Sequence, residues 1–209
     1  MSRKQSAIVH AARKSFLEGG YARTSMDSIA EMAGVGIKTV YRHFENKDDL
    51  FSAVMQAACN PAAFDELQGK EPVHTVESEK PWFSKPPRIA LVMAGIEYLE
   101  HALSGEQLAL YRVVTQDAHR FPELGRRYRE QVIEHRNDIF AHYLNRWVPI
   151  EKWKVKDKHG AASIFTSLLR TGIFEDTLHG LRKLNKSDVA AHARVTAAHM
   201  LVLLNSRTL

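Results

Sequence analysis

The sequence predicts an all-α chain in two parts, an N-terminal three-helix domain carrying a helix-turn-helix and a larger helical domain behind it. Three observations predict this. Apolar residues recur at helical spacing from Ile8 to Ala58 and again from Ile89 to Leu204, with no alternating strand pattern in competition. Five of the seven prolines (Pro61, Pro72, Pro81, Pro86, Pro87) gather between residues 61 and 87 with the polar run HTVESEK, which regular helix does not cross whole. Residues 24–44, TSMDSIAEMAGVGIKTVYRHF, hold two short helical patterns split by a single turn signal.

The first helix follows from the stripe Ile8, Ala11, Ala12, Ser15 and Phe16, closed by Gly19-Gly20. Thr24 or Ser25 can cap the second by accepting a free backbone N–H, and Met26, Ile29, Ala30 and Ala33 then share one face. Gly34 falls where a positive φ is expected, a conformation cheap only without a Cβ. The third helix starts two residues on. It docks through Val40 and Phe44, leaving Lys38, Thr39 and Arg42 on its free face with Tyr41 and His43 at the sides. Two helices this short are not stable alone. Support comes from a fourth, capped by Asn46, with Asp48 and Asp49 in its first turn and Leu50, Phe51, Val54, Met55 and Ala58 inward.

The domain boundary is placed near residue 60, giving 1–60 as the helix-turn-helix domain (the motif at about 25–44) and 61–209 as the second. Residues 69–84 read as a long irregular connection, with Trp82 and Phe83 anchoring it. Beyond Pro87 the expected helices span about 87–103, 106–120 and 122–147, the last ended by Pro149, then 156–179 and 187–204, the last capped by Ser187.

Composition sets limits. An apolar share of 44% with 25% charged residues is ordinary for a soluble globular protein. The net charge is +5, and residues 1–47 hold eight Lys or Arg against four acids, so most of the excess sits on the helix-turn-helix part and favours an anionic partner. A solvated basic surface is the plain alternative. The single cysteine, Cys59, forms no internal disulfide and reads as a small buried apolar residue on the linking helix. No stretch of 18 apolar residues and no leader-like run occurs, so the expectation is a cytoplasmic protein without membrane contact.

Function follows from the free face of the third helix. Lys38 and Arg42 lie four apart, so both reach base edges or phosphates of a major groove, a guanidinium on guanine being the most discriminating contact. Thr39 and Ile37 can touch a thymine methyl, while Tyr41, His43 and Lys47 hold phosphate, with Thr24 or Ser25 adding N–H groups at a helix N-terminus. Gly36, at the start of the reading helix, completes the DNA-facing set. Core packing is the alternative for Ile37, and a structural hydrogen bond that for His43.

Ile8, Ala11, Phe16, Gly20-Tyr21, Thr24-Ser25, Ile29-Ala30, Ala33-Gly34-Val35, Thr39, Tyr41, Phe44, Lys47 and Leu50-Phe51 together resemble the TetR family of bacterial transcription regulators over the first quarter of the chain. The segment ALYRVVTQDAHRFPELGRRYRE, 109–130, is similar to the C-terminal domain of its AefR-like subgroup. Two departures stand out: Gly36 replaces the usual capping serine or threonine, and Ile37-Lys38 replaces the commoner Lys-Gly pair. A glycine cap costs only a few tenths of a kcal/mol by comparison.

The resemblance implies a repressor released from a palindromic operator by a small-molecule effector, and a homodimer formed through the last two helices. Interface candidates are Ile164, Phe165, Leu168, Leu169, Ala193, Ala197, Met200, Leu201 and Leu204. It also implies an effector pocket for an apolar or aromatic ligand, with Met93, Tyr98, Tyr111, Thr115, His119, Trp147 and Phe174 as candidate lining; ordinary core packing is the alternative for each. A ligand-responsive activator or a helical protein-interaction module are the competing readings; steep salt dependence separates DNA binding from the latter. An enzyme is disfavoured. Eleven histidines form no HExxH pair, and there is no Cys-rich cluster, G-x-S-x-G turn or phosphate-cradling glycine loop, so no metal, cofactor or catalytic residue is assigned.

Overall fold

The computed structural model describes residues 3–59 and 80–206, all helix and connection with no strand among them. The helices are α1 (Arg3–Gly19), α2 (Met26–Ala33), α3 (Ile37–His43), α4 (Lys47–Cys59), α5 (Pro87–Ala102), α6 (Gly105–Asp117), α7 (Pro122–Tyr128), a π-helical turn (Arg129–Glu134), α8 (His135–Ile150), α9 (Lys158–Arg170), α10 (Phe174–Leu178) and α11 (Lys186–Asn205). The Cys59 side chain and most of the proline-rich connection lie outside the described residues.

Packing divides the chain into two units, residues 1–74 with 105–134, and residues 75–104 with 135–209. The first thus takes in α6, α7 and the π turn, which lie beyond the sequence boundary near residue 60. Long-range polar bonds bring them there. Gln107 donates to the Ala58 carbonyl at 2.8 Å, the Ala22 N–H donates to Asp117 at 3.0 Å, and Arg127 donates to Ser52 Oγ at 2.6 Å and to Asp49 at 3.0 Å. None of these follows a local period.

The core of the first unit is the predicted one: Ile8, Ala11, Ala12 and Phe16 of α1, Met26, Ile29 and Ala30 of α2, Val40 and Phe44, and Leu50, Phe51, Val54, Met55 and Ala58 of α4 are buried. Phe16, Tyr21, Phe51 and Phe121 knit it together, with ring centroids 5.1–5.5 Å apart.

In the second unit Trp82 and Phe83 are buried against Tyr143, 5.6 and 5.8 Å between centroids, so the connection is anchored where expected. Gly95 lets α5 approach closely: a Cβ there would meet Leu169 of α9 at 3.0 Å and Ala193 of α11 at 3.3 Å. Small residues on α11 therefore serve packing within the unit.

Helix boundaries differ from the sequence expectation at several places, and the helix expected to reach residue 120 ends at Asp117. Residues 122–147 are interrupted by the π turn at Arg129–Glu134, an insertion that leaves no mark on apolar spacing. Pro149 lies inside the last turn of α8 and does not end it, because the chain still closes a bond from Glu151 N–H to the Trp147 carbonyl. The 156–179 helix is broken around Gly172, whose φ of 76° is left-handed. The final helix is capped by Asn185, which accepts from the Ser187 and Asp188 N–H groups, two residues before the expected Ser187.

Candidate nucleic-acid interface

The motif is held by its caps. Ser25 Oγ accepts the Ser28 N–H at 3.0 Å while Ser28 Oγ accepts the Ser25 N–H at 3.2 Å, a reciprocal capping box that starts α2 at the surface. Gly34 ends α2 with φ 65°, and the Val35 N–H returns to the Ala30 carbonyl at 3.0 Å. Gly36 then caps α3 with no side-chain bond, its backbone extended at φ −69°.

Val40 is fully buried and Phe44 nearly so, which fixes the roll of α3. Lys38, Tyr41 and Arg42 are consequently exposed, Tyr41 by 52%, and Thr39 is half-exposed beside them. No acid lies on α3. This face presents two cations and a phenol at i, i+3 and i+4, the reach needed for groove edges and phosphates.

The other candidates are placed less freely. Ile37 is half-buried and packs against the core. His43 is half-buried, and among the described residues its Nε2 meets no hydrogen-bond partner. The Thr24 side chain is turned inward, its hydroxyl donating to the Gly20 carbonyl at 2.8 Å and approaching the Ser15 carbonyl at 3.2 Å, so Ser25 alone caps α2. Lys47 is likewise occupied. Its Nζ donates to the Tyr21 and Thr24 carbonyls, both at 3.0 Å, and lies 4.3 Å from the Tyr21 ring centre. Burial lowers its pKa, opposed by Asp48 and Asp117. Tyr21 in turn bonds Asp48, and burial foremost raises its pKa far out of reach. The sequence reading did not assign Ser28, although Ser25-x-x-Ser28 carries the spacing of a capping box. Asp117 and Arg127, which brace this head from α6 and α7, gave no local signal.

The effector candidates belong to both units. Tyr111, Thr115 and His119 belong to the first unit, where Thr115 and His119 are exposed and Thr115 donates to the Tyr111 carbonyl at 2.7 Å. Met93, Tyr98, Trp147 and Phe174 belong to the second. The interface candidates split by depth. Phe165, Leu169, Ala193, Ala197, Met200 and Leu204 are buried inside their own unit, which removes them from any outer face. Ile164, Leu168 and Leu201 remain at least partly exposed, and two residues the sequence reading passed over, Val195 and Val202, are 55% and 67% exposed. Apolar residues cover two sides of α11, and spacing alone does not say which is inside. Among the described residues no helix is long and apolar enough to cross a membrane.

Residues 8–54 match the family model described as bacterial regulatory proteins, tetR family, and residues 90–203, more than half of the chain, match that of the AefR-like transcriptional repressor C-terminal domain. The HTH-type transcriptional regulator YhgD of Bacillus subtilis (strain 168) is 43% identical over 51 residues, 24% of this chain and 27% of that protein. The chain thus spans about a quarter of the length of the curated relatives it matches. Solved structures extend the likeness to the whole chain. A protein described as a TetR-family transcriptional regulator from Mesorhizobium loti superposes with a TM-score of 0.76 at 26% identity, covering 97% of this chain and 98% of that one. The flavonoid-responsive regulator FrrA gives 0.76 at 27% identity and full coverage of both.

Proposed function

The chain belongs to the TetR family of bacterial regulatory proteins, and we propose that it is a cytoplasmic, non-enzymatic repressor that binds a two-fold operator as a homodimer and is released by a small effector. The observation that carries this is the exposed Lys38–Tyr41–Arg42 face of α3, held outward by the buried Val40 and Phe44. Lys38 and Arg42 read base edges or phosphates, Tyr41 holds phosphate, and Thr39 approaches a thymine methyl. Ser25 and Gly36 offer helix-start backbone to phosphate, with Ile37 and His43 at the margin. Thr24 and Lys47 position this surface from within.

Division of labour follows the sequence boundary, residues 1–60 reading DNA and 61–209 holding the effector and the second subunit. The outer faces of α9 and α11, with Ile164, Leu168, Val195 and Val202, pair with their copies in the partner. A two-fold dimer sets two reading helices against two half-sites. An aromatic or apolar effector is supported by a whole-length neighbour being described as flavonoid-responsive.

The test is anisotropy with DNA upstream of the protein's own gene, at several salt concentrations, with Lys38→Ala and Tyr41→Phe beside the wild type. Sequence-selective binding that falls steeply with salt and is weakened by both changes is expected. Salt-insensitive or sequence-blind binding by every variant refutes the reading.

A further inference from the structure

The second unit holds two buried polar nitrogens, on Arg136 and His101, that meet no hydrogen-bond partner among the described residues. Arg136 of α8 carries its guanidinium 5.6 Å from the ring centre of the partly buried Tyr98 of α5, and among the described residues its buried Nη2 meets no hydrogen-bond acceptor. Arg170, at the end of α9, opposes with Arg136 the upward push of burial on the Tyr98 pKa, and lies 3.7 Å from the ring centre of the buried Phe174. His101, one turn beyond Tyr98 on α5, has a buried Nε2 that likewise meets no partner among the described residues. Burial first, then Arg136 and Lys80, push its pKa down to about 4, so it is a neutral imidazole at physiological pH. Glu97 is already taken: it pairs with Lys80 and also accepts the Trp82 indole N–H at 2.8 Å.

A buried guanidinium N–H without an acceptor is costly, and a polar group left so in a native interior calls for a partner the chain itself does not provide. The partner's chemistry is set by the donors. A guanidinium is a planar fork that fits a carboxylate in bidentate fashion, and the aromatic rings of Tyr98 and Phe174 lie against the two guanidiniums. A neutral imidazole adds one donor or acceptor for a hydroxyl.

We propose that the interior of the second unit around Tyr98, His101, Arg136 and Arg170 binds the carboxylate of a small aromatic acid, with Arg136 as its principal anchor. This rests on the effector reading above and narrows it from apolar compounds in general to acids. The roles are distinct: Arg136 neutralises and orients the carboxylate, the Tyr98 ring backs the Arg136 guanidinium, and His101 hydrogen-bonds a ring substituent.

The full chain is titrated with benzoate and 4-hydroxybenzoate and with their neutral amides, following heat of binding and thermal midpoint, with operator affinity measured in parallel. Acids are expected to bind more tightly than the matching amides by about thirtyfold or more, the scale of loss on removing one partner of a buried charge pair. Arg136→Gln, with its helical circular dichroism retained, is expected to erase that preference. Equal affinity for acid and amide in the wild type, which needs no variant to fold, overturns the proposal, as does absence of acid binding at millimolar concentration or an unchanged preference in Arg136→Gln. Acid binding lost in Arg136→Gln that leaves operator affinity untouched keeps the site and removes the effector reading. Amides that release DNA while acids do not keep the effector reading and remove the site.

Discussion

Val202→Asp separates the two apolar sides of α11 and with them the dimer from the core. Val195 and Val202 are 55% and 67% exposed in the single chain, and covering each is worth about 1–2 kcal/mol at roughly 25 cal/mol per Å² of apolar area. A two-fold interface repeats every contact, so in the proposed dimer position 202 would contribute about 2–4 kcal/mol. An aspartate there removes that gain and adds the desolvation of two carboxylates, several kcal/mol after relaxation. A total of about 5 kcal/mol or more corresponds to three to four decades in Kd, at ~1.4 kcal/mol per tenfold. Sedimentation velocity at micromolar protein should therefore show a monomer, with helix content unchanged because Val202 lies outside the core of its own unit. Ala193→Asp is the counterpart. Ala193 is fully buried beside Gly95, so the same charge should cost the fold itself. A Val202→Asp protein that still sediments as a dimer, or that unfolds like Ala193→Asp, refutes the assignment of the outer face.

Lys47→Ala should lower the thermal midpoint, since two carbonyls lose a charged donor worth about 1.5–3 kcal/mol each before discounting for partial exposure, while leaving the log–log salt slope of DNA binding intact; Lys38→Ala should flatten that slope by about one unit and leave the midpoint alone. Chemical denaturation across pH tests His101. Its folded pKa of about 4 lies below the usual 6.5, so the unfolded chain binds the extra proton between these values; stability is full above 6.5 and falls as pH drops toward 4, by on the order of 2 kcal/mol after allowance for residual solvent screening. His101→Gln should remove that part of the slope, and an identical pH profile would contradict the burial-driven shift. Gly95→Leu should destabilise by at least the 1–3 kcal/mol of an overpacked core, read as a lower denaturant midpoint, because even a Cβ meets Leu169 at 3.0 Å.

What the sequence made legible is what local rules govern. Gly34, the Val40–Phe44 pair and the Asn46 cap each act within four residues, and each lies where its spacing predicts, including the Asn46 bond to the Asp49 N–H at 2.9 Å. Thr24 and Lys47 were harder. Both carry polar ends that look solvent-seeking, yet both close bonds to backbone carbonyls exposed where α1 ends and α2 has not begun, a contact only the folded head creates. The stripe of α11 failed for a different reason. With Ala193, Ala197, Met200 and Leu204 on one side and Val195 and Val202 on the other, helical periodicity is satisfied twice, and only the close approach of Gly95 decides which side is internal.

The same distinction bears on how a ligand in the second unit can be felt at the reading helix. Within the first unit the head is not free to turn on α6 and α7. Asp117 holds the Ala22 N–H just ahead of α2, and Arg127 spans Asp49 and Ser52 of α4, itself steadied by Glu123. A displacement of α7 is therefore passed to α4 by directional, charge-assisted bonds, which transmit rotation better than an apolar contact that slides. The π turn begins at Arg129, immediately after α7, and Arg136, the proposed anchor of the acid, lies two residues beyond its end at Glu134. A π turn holds one residue more than an α-helix needs, and this one lies in sequence between the residue that braces α4 and the proposed anchor. Arg136 lies two residues beyond this turn and Arg127 two residues before it. On this reasoning Arg127→Ala should leave acid binding at full strength while blunting its effect on operator affinity, a separation that anisotropy with and without benzoate measures directly; loss of acid binding in Arg127→Ala would place the coupling elsewhere.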